Sequence, residues 1–236
     1  MCGDSTDEAD VNCLMNGEVA ACMWTDPPYG VSYVGKTKDA LTIENDGAAG
    51  LPDLLYAAFK NADQVLMGGA PFYIAHPPGA QQLVFLQTVV DVGWVIHEQL
   101  VWVKDSMVLG HSDYHYKHEP VLYGWTPGEG RPGRGAHDGT HWYGDNSQVS
   151  VFEIPRPKRS EEHPTMKPPE LVEAMLKNST RRADLVYEPF SGSGTTIVAC
   201  ERLGRRCRAI ELDPAYVAVT LQRLAEMGLT PRRVDA

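Results

Sequence analysis

No apolar run in this 236-residue chain approaches the roughly 18 residues of a membrane span. The amino terminus is acidic and has neither a basic n-region nor an apolar h-region, so no signal peptide and no membrane partner are expected. Cysteine is scarce: Cys2, Cys13, Cys22, Cys200 and Cys207 make an odd count without a CxxC pair. Reduced thiols in a cytoplasmic protein are the expectation. Basic charge is also short. The formal net charge of −10 at first argues against a nucleic-acid partner. Its distribution weakens that exclusion, because residues 1–63 hold eleven acids against three lysines while the remainder holds 20 acids and 18 bases. A local basic face outside the amino-terminal quarter stays open.

What the chain does have is a stiff acidic turn, Thr25-Asp26-Pro27-Pro28-Tyr29-Gly30. The apolar run Val19 to Trp24 precedes it and is short enough for a buried strand. The two prolines end that strand, since neither can donate to a ladder and each fixes its own φ. The carboxyl end of a strand is the ligand-binding edge of an open α/β sheet. Asp26 and the Pro27 carbonyl can accept the two hydrogens of a ring-borne amine, and Tyr29 offers a face on which that ring stacks. The same residues also suit an ordinary Asp-Pro turn followed by a core tyrosine.

Apolar spacing and turn residues predict helices over Glu8–Met15, Leu51–Asn61, Gln81–Val92, Pro168–Asn178, Thr196–Leu203 and Ala215–Met227. Strands are predicted at Val65–Gly69, Trp94–Lys104, Pro120–Trp125, Asp184–Glu188 and Cys207–Leu212. The glycine-rich polar stretch from Gly30 to Gly50 is a lid candidate beside the acidic turn. Six of the eight histidines lie between 105 and 163, and Gly124–Gly135 is rich in glycine and proline. Residues 105–160 are therefore expected to be a loop-rich insertion with one strand, inside a single domain over 1–236. His111, His115 and His118 have the spacing of zinc ligands on a helix face, but Gly110 and Pro120 oppose a helix there, and no metal is expected.

The carboxyl-terminal part follows the order strand, glycine turn, helix, strand, acid. That is nucleotide-binding βαβ grammar, with Glu211 nineteen positions after Gly192. Two phosphate signatures are missing. There is no GxxxxGK, and Ile197 stands where GxGxxG would place its third glycine. A small adenosine ligand without a pyrophosphate fits better than a dinucleotide, and S-adenosylmethionine is the obvious one. A purely structural strand-turn-helix has the same signature.

Together the two halves resemble the amino-group DNA methyltransferases. Asp26-Pro27-Pro28-Tyr29 is similar to their DPPY motif, and Phe190-Ser191-Gly192-Ser193-Gly194 to their FxGxG motif. His163-Pro164-Thr165-Met166-Lys167-Pro168 resembles the HPTxKP segment of the β class, and Gly3-Asp4-Ser5 its short amino-terminal motif. Ser112–His115, His118-Glu119-Pro120 and Tyr123-Gly124-Trp125 resemble a segment of phage-type and mobile-element enzymes. Catalytic motif before cofactor motif is the permuted β order.

The resemblance implies a Rossmann-like, mostly parallel sheet flanked by helices and S-adenosylmethionine as methyl donor. It also implies site-specific methylation of double-stranded DNA at adenine N6, or alternatively at cytosine N4, as in restriction-modification systems. A protein that kept the fold but lost turnover is a further reading. Carried over by residue, Asp26, Pro27, Pro28 and Tyr29 are catalytic. Asp4, Thr165, Lys167, Phe190, Ser191, Gly192, Gly194, Thr195 and Glu211 bind the cofactor, Glu211 through the ribose hydroxyls and Thr165 and Lys167 near the methionine carboxylate. Arg131, Arg134, Arg156, Lys158 and Arg159 are candidate DNA contacts. The recognition region is small, so help from a second subunit, as a homodimer, is expected.

Overall fold

The computed structural model describes residues 1–30, 50–107, 113–128, 141–157 and 166–233. Helix α1 (Glu8–Met15) starts at Asp7, whose carboxylate caps the Ala9 N–H. Strand β1 (Cys22–Thr25) follows, buried on both faces. Helix α2 (Leu51–Val65) buries Leu51, Leu55, Ala58, Phe59, Ala62 and Val65, one helical stripe. Then come β2 (Pro71–Ala75), α3 (Gln82–Asp91), β3 (Val95–Val103), β4 (His118–Trp125) and β5 (Val151–Glu153). The chain closes with α4 (Pro169–Ser179), β6 (Leu185–Glu188), α5 (Thr195–Leu203), β7 (Arg206–Ala209) and α6 (Pro214–Glu226).

The strands form one seven-stranded sheet in the order β5-β3-β4-β2-β1-β6-β7. Six run one way and β4 runs against them. Side chains alternate across the sheet. Met23, Phe72, Ile74, Leu122 and Tyr187 join the core under α1, α2 and α3. Cys22, Trp24, Tyr73, Val121 and Val186 join a second core that takes Leu171, Val172, Met175 and Leu176 from α4 and Ala199 and Cys200 from α5. The result is the three-layer, mostly parallel α/β architecture expected.

Two expectations need correction. Val65–Gly69 is not a strand: Val65 ends α2, and Leu66 makes a single bridge to Ala20. The strand instead starts at Pro71, where a first-position proline gives up no necessary ladder donor. Among its described residues the stretch 105–160 supplies two strands, not one, and both belong to the main sheet. β4 lies between β2 and β3 near its middle, and β5 pairs with β3 at its edge. The predicted lid lies outside the described residues except for Gly30 and Gly50.

Candidate active site

After β1 the chain moves to one side of that strand and forms β2. Its other neighbour, β6, arrives only after β2 to β5 are in place. The strand order therefore reverses at β1–β6, where the carboxyl ends of an open α/β sheet leave a crevice. Parallel register sets Cys22 beside Val186 and Met23 beside Tyr187. The Asp26–Tyr29 turn and the Pro189–Gly194 turn thus emerge side by side from neighbouring strands.

A buried acid ties them together. Glu188, 2% exposed, accepts from Thr25 Oγ1 at 2.6 Å, the Phe190 N–H at 3.0 Å and Thr196 Oγ1 at 2.7 Å. Burial outweighs these three donors and pushes the Glu188 carboxyl up to about 8, with the Asp26 charge adding to the rise. Between the ordinary carboxylate range and about pH 8 the folded state holds a proton that the unfolded chain has lost. Stability must then fall as pH rises through that window, with a slope of up to about 1.4 kcal/mol per pH unit. Urea unfolding at pH 5.5 and 7.5 is expected to show the loss, and Glu188→Gln to flatten it; equal pH slopes in the two proteins would refute the assignment.

Asp26 sits in an alternating string of charges along this edge. Lys167, just before α4, places Nζ 2.8 and 2.7 Å from the two Asp26 carboxylate oxygens, 3.2 Å from the Tyr29 hydroxyl and 3.0 Å from Glu119 Oε2. Lys104, immediately after β3, pairs with the other Glu119 oxygen. Because β4 is reversed, its first residues reach the same edge as the last residues of β1 and β3, and that brings Glu119 here. Burial would pull the Lys167 ammonium down, but the Asp26 and Glu119 carboxylates hold it well above the ordinary lysine value. Burial likewise pushes Glu119 up, and the two lysines reverse this and bring it down to about 2. Tyr29 donates to Asp26 Oδ1 at 2.9 Å, and its ring meets Phe85 edge-on, with centroids 6.1 Å apart. Pro27, within the turn, is buried.

The glycine turn is held from two sides. Gly192 and Gly194 have φ of 51° and 78°. Gly194 lies against Thr220 of α6, whose hydroxyl donates to the Gly192 carbonyl at 3.2 Å; Arg223 of α6 donates to the Ser193 carbonyl. A side chain built at Gly192 would meet nothing within 4 Å, so this face of the turn is open. Glu211 Oε2 accepts from the Gly192 N–H at 2.7 Å. Gly3 donates to the Glu211 carbonyl at 2.9 Å, so the Gly3–Ser5 segment runs beside Glu211. The Asp4 carboxylate accepts from the Thr6 N–H and hydroxyl, both at 2.8 Å. Phe190 and Ser191 are half-buried, and Thr195 opens α5.

The predicted residues that are described thus fall into two neighbouring groups; Lys167, expected near the methionine carboxylate of the cofactor, contacts Asp26. Thr165, Arg131, Arg134, Lys158 and Arg159 lie outside the described residues. Arg156 is half-buried just past β5, its N–H donating to Asp105 Oδ1 at 3.1 Å. Glu119, Lys104 and Glu188 were not anticipated as site residues. The only hint was the His118-Glu119-Pro120 segment, a glutamate at the head of an apolar strand.

A family model described as DNA methylase, of the N6/N4 methyltransferase type, matches residues 20–222. The Type II methyltransferase M.XycI of Xanthomonas campestris pv. cyanopsidis is 31% identical over 157 residues, 62% of this chain and 50% of that enzyme. The chain thus spans about half of that relative's length. The DNA adenine methyltransferase YhdJ of Escherichia coli K12 is 25% identical over 86% of this chain and 75% of its own. Among solved structures, the M1.HpyAVI–SAM complex superposes with a TM-score of 0.69 at 20% identity, covering 94% of this chain and 97% of that one. The cytosine-N4-specific PvuII methyltransferase superposes at 0.68 and 17%, covering 94% and 84%. Both structures share the fold. With the family match spanning most of its length, this chain belongs to the N6-adenine/N4-cytosine DNA methylase family.

Proposed function

We propose that this chain methylates the exocyclic amine of adenine in duplex DNA, with S-adenosylmethionine as donor. The supporting observation is the placement of an acid-aromatic turn beside an open glycine turn on adjacent parallel strands. The open face at Gly192 suits an adenosine ligand with Glu211 at its edge. Phe190, Ser191, Gly194, Thr195, Asp4, Thr165 and Lys167 are the other residues assigned to hold it. When bound, the donor supplies an electrophilic sulfonium methyl group.

The remaining work falls to the chain. An aromatic amine is a poor nucleophile because its lone pair is delocalised into the ring. Asp26 and the Pro27 carbonyl accept its two hydrogens and favour a pyramidal nitrogen, while Tyr29 stacks on the extruded base. Most of the acceleration comes from this positioning and from fixed negative charge facing a nitrogen that becomes positive. Arg156 and the basic residues at 131, 134, 158 and 159 are the proposed DNA contacts.

The DPPY form of the turn and the kinship to an adenine methyltransferase favour adenine over cytosine. Incubation with labelled donor and duplex DNA, then nucleoside mass spectrometry, is expected to yield N6-methyladenine. Label on cytosine N4 alone would overturn the base assignment. Donor binding with no methylated nucleoside from mixed genomic DNA would overturn the catalytic one.

A further inference from the structure

Lys167 is over-subscribed. An ammonium has three N–H donors, and Nζ directs them at both Asp26 oxygens and the Tyr29 hydroxyl; Glu119 Oε2, an ion-pair partner 3.0 Å away, is buried and takes no hydrogen bond. Two of these acceptors belong to the carboxylate that must take one hydrogen of the substrate amine. Resting on that reading of Asp26, we propose that Glu119 is a positioning residue that draws Lys167 off Asp26 as the amine arrives.

The geometry provides for the transfer. Glu119 is already at 3.0 Å from Nζ, so the ammonium needs only a small tilt to exchange partners. Lys104 grips the other Glu119 oxygen and keeps that carboxylate from following Lys167 toward Asp26. The charges require it as well. The substrate nitrogen carries positive charge from methyl transfer until it loses a proton, and an ammonium resting on the same carboxylate opposes that charge. Glu119 offsets it. Among the described residues the groups facing Lys167 are Asp26 and Tyr29 from the turn after β1, and Glu119 from β4 with Lys104 behind it. Burial raises the Tyr29 phenol well above its ordinary value, so it stays protonated throughout the assay range.

The test uses the full chain with Glu119→Gln, Lys104→Met, the double variant and Asp26→Ala, read by single-turnover rate, donor affinity and thermal midpoint. Glu119→Gln is expected to slow the methyl-transfer step about 100-fold with donor affinity within about threefold. Its deficit relative to wild type should persist between pH 7 and 9.5, because Asp26 still holds the Lys167 ammonium charged. In the double variant the thermal midpoint lost with Glu119 should return, because no unpaired lysine remains at position 104, while the rate stays low. Recovery of the rate together with the midpoint would mean that Glu119 acts only through packing, and overturns the proposal. So would a wild-type rate in Glu119→Gln beside an inactive Asp26→Ala. Activity in Asp26→Ala would instead bring down the underlying reading of Asp26, and this proposal with it.

Discussion

Asp26→Ala is expected to lower methyl transfer by at least about 10³-fold while leaving donor affinity within about threefold. The reason lies in what the carboxylate faces. It accepts from Lys167 and Tyr29 and stands at the end of β1, one residue past the Thr25–Glu188 bond. Among the described residues none of its hydrogen-bond partners belongs to the glycine turn, so the donor side should barely register its removal. Lys167 keeps Glu119 as a counter-charge, which spares the variant an orphaned buried ammonium and much of the associated folding cost. Single-turnover kinetics with calorimetric titration of the donor separates the two sides. A variant that binds the donor and turns over at the wild-type rate would show that the acceptors for the amine lie elsewhere.

Gly124→Ala is expected to cost about 3–5 kcal/mol of stability, the range of a severe packing fault. Gly124 sits mid-sheet on β4, opposite Phe72 on one side and Ile96 on the other. A β-carbon there would stand 2.0 Å from the Val95 carbonyl oxygen and 2.6 Å from Phe72 Cζ. The first obstacle is backbone of the neighbouring strand, beside the irregular register at Ile96 and Glu98, so no rotamer change relieves it. For a chain of this size the thermal midpoint should drop by roughly 10 °C. Urea unfolding checks the figure, and a loss under about 1 kcal/mol would mean that β3 and β4 are free to separate there. Because β4 also carries Glu119, partial loosening should depress activity below the unfolding temperature.

Much of the helical framework was legible because local signals coincide with burial. Side-chain caps at Asp7 and Asp213 fix the starts of α1 and α6, and the stripe on α2 has helical spacing. β2 was missed because its leading proline and the glycine pair before it read as a turn. β5 was missed because three residues carry no periodicity. Within the site, Asp26, Tyr29, Gly192 and Glu211 were legible because each belongs to a motif that describes itself locally. Glu119 and Lys104 were not. Whether a strand glutamate faces water or a buried lysine depends on which strands become neighbours, and the reversal of β4 is a property of the whole sheet. Lys167 shows the same limit from the other side: its motif was recognisable, but its partner in space was not.

The clasp at Glu188 has a mechanical consequence. One carboxyl group binds the last residue of β1, the backbone after β6 and the first turn of α5. The roots of the acidic turn and of the glycine turn are thereby welded into a single body. Neither can swing independently to meet the other, so the distance a methyl group must cross is built in when the sheet forms. Any breathing that admits a base or releases a product has to occur around this body and not through it.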